Sequence, residues 1–154
     1  MFFAVAALPA SAQDAPTAAS FEGVWQITRM VRAGVADDHP QPSLLIFSRG
    51  YYSIIRTTGS KARLQAPPAQ DPKQLSDAEK IARYDEWAPF AASAGSYEVS
   101  GNTLITHNLV AKNVKGMTRT EEAVILEFDG NRFVATSKPG EPDSDTQSVF
   151  TRLR

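Results

Sequence analysis

The chain contains no cysteine and only two histidines in 154 residues. The first absence excludes disulfides, thiolate zinc sites and a cysteine nucleophile, and it is compatible with any redox compartment. The second argues against a zinc centre, which needs three or four converging ligands. No metal and no cofactor are expected. An excess of one charge is also missing: 16 basic against 17 acidic residues leave a formal net charge of -1. Without a basic field to draw in phosphate backbones or anionic lipid, nucleic acid is not expected as a partner. The one N-terminal apolar run is too short to span a bilayer. There is no Gly-x-Ser-x-Gly, phosphate loop or dinucleotide fingerprint. The adjacent carboxylates Glu121-Glu122 and Asp37-Asp38 would point to opposite faces of a strand, so a glycosidase-type pair is unsupported.

What is present fits one domain with a single core. Phe2 to Leu8 is a short apolar run, and Ala10-Ser11-Ala12 is a small-residue triplet of the kind signal peptidase cuts. Residues 1–12 therefore read as a signal peptide of an exported protein, periplasmic or secreted. The basic residues that usually precede such a run are missing, so the start reads as truncated or misassigned. Residues 13–20 read as a linker, and residues 21–154 as the folded domain.

The body of the domain reads as strands joined by tight turns. Gly23 to Val31 alternates, with Trp25, Ile27 and Arg29 on one face. Ala33 to Pro42 is turn material. The runs SLLIFS and GYYSIIRTT flank Arg49-Gly50 as a hairpin. Gly59 to Gln74 is polar and proline-rich, a lid or a flexible rim. Then the period changes. Ser76 and Glu79 form a capping box, and the helix they open, about residues 76–88, sets Ile81, Tyr84, Trp87 and Ala88 on one stripe. Strands resume at Gly95–Val99 and Thr103–Val110, then on either side of Asp129-Gly130-Asn131, and close with Gln147–Leu153. The count predicts an all-β fold, an antiparallel up-and-down barrel of about eight strands with one amphipathic helix packed on it or across one end. Eight strands leave room for side chains or one small ligand.

Gly23-Val24-Trp25 resembles the lipocalin Gly-x-Trp signature. The run from Phe21 onward is similar to the lipocalin-like domain family of bacterial and fungal proteins, through Gly50-Tyr51, Ala94-Gly95-Ser96-Tyr97-Glu98-Val99, His107 and Gly116-Met117-Thr118-Arg119. Two positions depart from that pattern: Thr106 stands where the family has the first histidine of a pair, and Ser93 where it has an aromatic residue. The resemblance implies a calycin-type barrel with small-molecule binding. It also implies that Arg152, on the last strand, stacks on the Trp25 indole to close the barrel floor, with Arg154 as a competing partner.

The candidate ligand-binding residues are His107, Tyr97, Arg119, Arg56, Tyr52 and Trp87. His107, sharing a strand face with Ile105 and Leu109, is either a satisfied core histidine or an acid, base or ligand anchor. Tyr52, Ile54 and Arg56 share one face of their strand. Arg56, Arg119, Tyr52 and Tyr97 converge on His107 if they face the lumen, and are solvated outer residues if they do not. Tyr84, Trp87 and Phe90 form the packing face of the helix and line the pocket if the helix caps the open end. Three functions remain open. The favoured one is an exported barrel binding a small hydrophobic or amphipathic molecule, in which guanidinium groups fix the polar end. The second is an isomerase or cyclase with His107 as acid or base. The third is a structural cell-envelope protein whose barrel is filled by its own side chains. The oligomeric state is not legible.

Overall fold

The computed structural model describes residues 15–140 and 144–154; the expected signal peptide at 1–12 lies outside the described residues. Nine strands form one antiparallel sheet: β1 (Gly23–Arg32), β2 (Val35–Asp37), β3 (Ser43–Ser48), β4 (Tyr51–Thr57), β5 (Phe90–Ser100), β6 (Thr103–Ala111), β7 (Thr120–Phe128), β8 (Arg132–Ser137) and β9 (Thr146–Arg152). From β3 to β9 each strand pairs with the next, and both β3 and β9 pair with β1. The sheet is therefore a closed eight-stranded barrel, as expected from the strand count, with β2 as one extra strand.

Side-chain alternation places the core. On β3, Leu45 and Phe47 are buried while Leu44 and Ile46 face out, and Phe47 pairs with Tyr52 of β4 on the same inner face. Three details differ from the sequence reading. Val35–Asp37, expected as turn, pairs with Met30–Arg32 at the end of β1. Strand β5 starts at Phe90 rather than Gly95, because Ala91 to Ala94, weak strand formers alone, pair fully with β4. The third is a bulge at Thr28, where the β1–β9 register shifts between Ile27 and Arg29. It turns Arg29 away from the face of Trp25 and Ile27 to an ion pair with Asp38 at 2.7 Å.

One end of the barrel is sealed. Residues Ala18–Phe21, the first three of them read as linker, form a helical turn α1 opened by a Thr17–Ser20 capping box. Phe21 is fully buried, with its ring 4.9 Å from Phe128, 5.0 Å from Phe133 and 5.6 Å from Phe47. The Trp25 indole donates to the Phe21 carbonyl at 2.7 Å. Arg152 lies over that indole at 4.2 Å and donates to the carbonyls of Ser20 (2.8 Å), Gly130 (2.8 Å) and Glu22. Gly23 is needed here twice: its φ is +126°, and a Cβ would stand 2.5 Å from Arg152 Nη1.

The helix expected near 76–88 is α2 (Asp77–Trp87), capped by Ser76 and Glu79. The Ser76 hydroxyl, then the backbone amides of Gln70 and Ser76, hold the Glu79 carboxyl down to about 2. The helix joins β4 to β5 and so stands at the other, open end. Lys112 Nζ donates to the carbonyls of Trp87, Ala88 (3.2 Å) and Phe90 (2.7 Å) and ties it to the rim. No residue of α2 is buried, and its stripe of Ile81, Tyr84 and Trp87 is exposed.

Candidate functional site

The aromatic plug fills only the closed half of the barrel. Above it the inward positions become shorter or polar, and a cavity of about 300 Å³ remains, with walls of Leu45, Ile54, Leu104 and Phe150 and polar groups from Tyr52, Arg56, Ser93, Thr106, Arg119 and Glu121. A second space of about 160 Å³, reaching Met30, Arg32 and Thr146, shares Arg56, Ala123, Ser137 and Phe150 with it. The lumen is thus apolar low down and charged towards the mouth.

The charged groups are not equivalent. Arg119 Nε lies 3.8 Å from Glu121 Oε1. Arg32 Nε donates to Thr146 Oγ1 at 3.3 Å. Arg56, half-buried and common to both spaces, has no hydrogen-bond or ion-pair partner for its guanidinium among the described residues. Its N–H donors are therefore open to an anionic or carbonyl oxygen.

The wall also carries a polar network. The Tyr52 hydroxyl bonds to Asn108 Oδ1 and lies 3.2 Å from Ser93 Oγ, while Asn108 Nδ2 donates to the Gly116 carbonyl at 2.9 Å. Burial pushes the Tyr52 phenol above its ordinary value, against the Ser93 and Thr106 hydroxyls. The Tyr97 phenol is also raised, first by burial.

The candidates separate into three places. Tyr52, Arg56 and Arg119 line the lumen. Tyr97 belongs to the closed-end core, its ring 4.6 Å from Phe47 and its hydroxyl donating to Ala18 O at 2.8 Å. Trp87 stands outside on α2, edge-on to Phe90 at 5.5 Å with Arg63 over it. His107 is on the outer face too, between Thr120 Oγ1 (3.0 Å) and Glu98 Oε1 (3.4 Å), with its side chain 44% exposed. The expectation that Tyr52, Tyr97, Arg56 and Arg119 converge on His107 gives way to an Arg56–Tyr52 wall. The reason lies in β6, which has apolar residues on both faces. Leu104, Thr106 and Asn108 face in, and Ile105, His107 and Leu109 face out. A bulge skips Leu109 where Gly95 pairs with Asn108. The departures from the family pattern, Ser93 and Thr106, are both lumen residues.

Asn108, Ser93, Thr106 and Glu121 were not among the sequence candidates. Gly95 was the available signal: a Cβ there would come within 2.9 Å of Leu109 N and nearer still to the His107 carbonyl oxygen. A glycine demanded by so close an approach marks a bulge and fixes the phase of β6. Among the described residues no three His, Asp or Glu side chains gather as a metal site, and no helix is long and apolar enough to cross a membrane.

No protein-family model and no curated protein matches the chain. Among solved structures, a lipocalin-like protein from Bacteroides uniformis aligns over 87% of this chain and 99% of its own, with a TM-score of 0.52 and 12% identity. The fold is lipocalin-like. An uncharacterized protein from Bacteroides eggerthii aligns over 86% of this chain and 99% of its own, with a TM-score of 0.49 and 10% identity. Likeness at such identity concerns the fold alone.

Proposed function

We propose that this lipocalin-like barrel is an exported binder of a small amphipathic molecule with an anionic group, such as a medium-chain carboxylic acid. Its apolar part lies against Leu45, Ile54, Leu104 and Phe150. Its carboxylate meets Arg56, with Tyr52 and Ser93 offering hydrogen bonds along the wall. The observation that carries this reading is the unpartnered, half-buried Arg56 above the apolar wall of Leu45, Ile54, Leu104 and Phe150, in a lumen whose other arginine, Arg119, already has Glu121 beside it. The cavity volume of about 300 Å³ is at the small end of ligand pockets and favours a compact guest. Export rests on the Ala10-Ser11-Ala12 triplet behind its apolar run.

The volume counts against a barrel filled by its own side chains. Catalysis by His107 is disfavoured because that imidazole stands on the outer face. Native mass spectrometry of the protein, incubated with an equimolar panel of straight-chain carboxylic acids and the matching alcohols, tests the reading. Retention of acids in 1:1 complexes supports it. Equal retention of alcohols, or of neither, contradicts it.

A further inference from the structure

The polar network on the lumen wall fixes where each of its protons points. Asn108 and Tyr52 are buried, and Asn108 Nδ2 donates to the Gly116 carbonyl at 2.9 Å. A carbonyl only accepts, so the amide is held with Oδ1 towards Tyr52. That oxygen is an acceptor too, and it takes the single proton of the Tyr52 phenol. Ser93 Oγ lies 3.2 Å from the phenol oxygen, which has no second proton to give. The Ser93 hydroxyl is therefore the donor in that bond. On the same wall the Thr106 hydroxyl has the Glu121 carbonyl as its acceptor, at 3.5 Å. The protons of all three hydroxyls are thus turned into the protein, and the Ser93 and Thr106 oxygens keep their lone pairs for the lumen. Arg56 offers donors; this wall offers acceptors.

We propose that the second polar group recognised in the lumen is a hydrogen-bond donor, and that the guest is a carboxylic acid with a hydroxyl close to its head, held by Ser93 Oγ. The register pairs Ser93 with Ile54 and Arg56 with Ala91, so Arg56 and Ser93 are diagonal neighbours on the inner wall, about 7–8 Å apart between Cα atoms. A carboxylate on one and a hydroxyl on the other lie only a few bonds apart on the guest. An ammonium would also donate, but Glu121 and Glu122 already have Arg119 and Lys138 beside them. With the guest's carboxylate on Arg56, the ammonium charge would be left without a counter-charge. A neutral hydroxyl carries no such cost. The full ligand class rests on the reading of Arg56 as carboxylate anchor, whereas the contact of the hydroxyl with Ser93 stands on the network alone.

Binding titrations of decanoic, 3-hydroxydecanoic and 3-methoxydecanoic acid to the wild type and to Ser93→Ala test it. In the wild type the hydroxy acid should bind about 3- to 10-fold more tightly than decanoic acid, the effect of one net hydrogen bond. The methoxy acid offers only an acceptor and should show no gain. Ser93→Ala should bring the hydroxy acid and decanoic acid within about twofold of each other. Ser93→Cys, a weaker acceptor, replaces it if the alanine variant does not fold. The methyl esters of decanoic and 3-hydroxydecanoic acid repeat the comparison without the charge. A hydroxyl preference among the esters, with acid binding unchanged by Arg56→Met, would support the hydroxyl site while the acid reading failed. No hydroxyl preference in either series, an equal gain from the methoxy group, or a preference that survives the loss of Ser93 Oγ would overturn the proposal.

Discussion

Arg152→Met removes the fixture that joins both ends of the chain at the barrel floor. Arg152 donates to the Ser20, Glu22 and Gly130 carbonyls and covers Trp25. A hydrogen bond from a charged donor is worth about 1.5–3 kcal/mol net, and the indole contact about 0.5–2 kcal/mol. Full addition overstates the loss, because water can reach the freed carbonyls at this half-exposed site. A destabilisation of about 4 kcal/mol is expected. For a domain of this length it lowers the melting temperature by about 8–16 °C. Chemical denaturation monitored by Trp25 fluorescence measures it, since the indole leaves a fully buried position on unfolding. Arg152→Lys keeps the charge without the fork that reaches three carbonyls, and should recover less than half of the loss. A Met variant within about 1 kcal/mol of wild type, or a Lys variant equal to wild type, would refute the floor as the fastening point of the barrel.

Gly95→Ala should cost about 1–3 kcal/mol, because its Cβ would press on the His107–Leu109 backbone rather than on a movable side chain; equilibrium unfolding in urea reads this, and a neutral result would discard the close approach. The Tyr52 phenol is raised by burial, so its neutral form is favoured in the folded state. Its contribution to stability is complete below the ordinary tyrosine value of about 10 and falls as pH rises through the higher folded value. Thermal melts from neutral to strongly alkaline pH should show that fall, and Tyr52→Phe should flatten it; identical pH profiles would disprove the assignment. His107→Ala should leave acid binding within about twofold of wild type, since the imidazole faces outwards; a large loss in a binding titration would put His107 back among the lumen residues.

The barrel was legible because its signals are local. Tight-turn sequences at Arg49-Gly50 and Asp129-Gly130-Asn131 fall between strands, Ser76 and Glu79 start the helix, and Gly23-Val24-Trp25 with Arg152 marks the floor. The lumen was less legible because strand phase is a long-range property. Tyr52, Ile54 and Arg56 share the inner face, as their alternation implies. On β1 and β6, bulges at Thr28 and Leu109 shift the phase, and no apolar pattern compensates, since both strands carry large apolar residues on each face. On β6 the row of Leu104, Thr106 and Asn108 and the row of Ile105 and His107 each carry a large apolar residue, so nothing local says that His107 faces out and Asn108 in. Within the stretch read as linker, Ala18 to Ser20 belong to a helical turn whose Ala18 and Ser20 carbonyls accept from Tyr97 and Arg152 of the barrel floor, partners that lie far along the chain.

If Arg56 makes the lumen selective for an anionic head group, isothermal titration of decanoic acid and decanol into wild type and Arg56→Met will separate the two ligands. Loss of a charge-assisted contact worth about 1.5–3 kcal/mol corresponds to a fall in acid affinity of about 10- to 150-fold. Arg56→Met should show that fall for the acid and no change for the alcohol. Equal affinities of the acid for both proteins would contradict it.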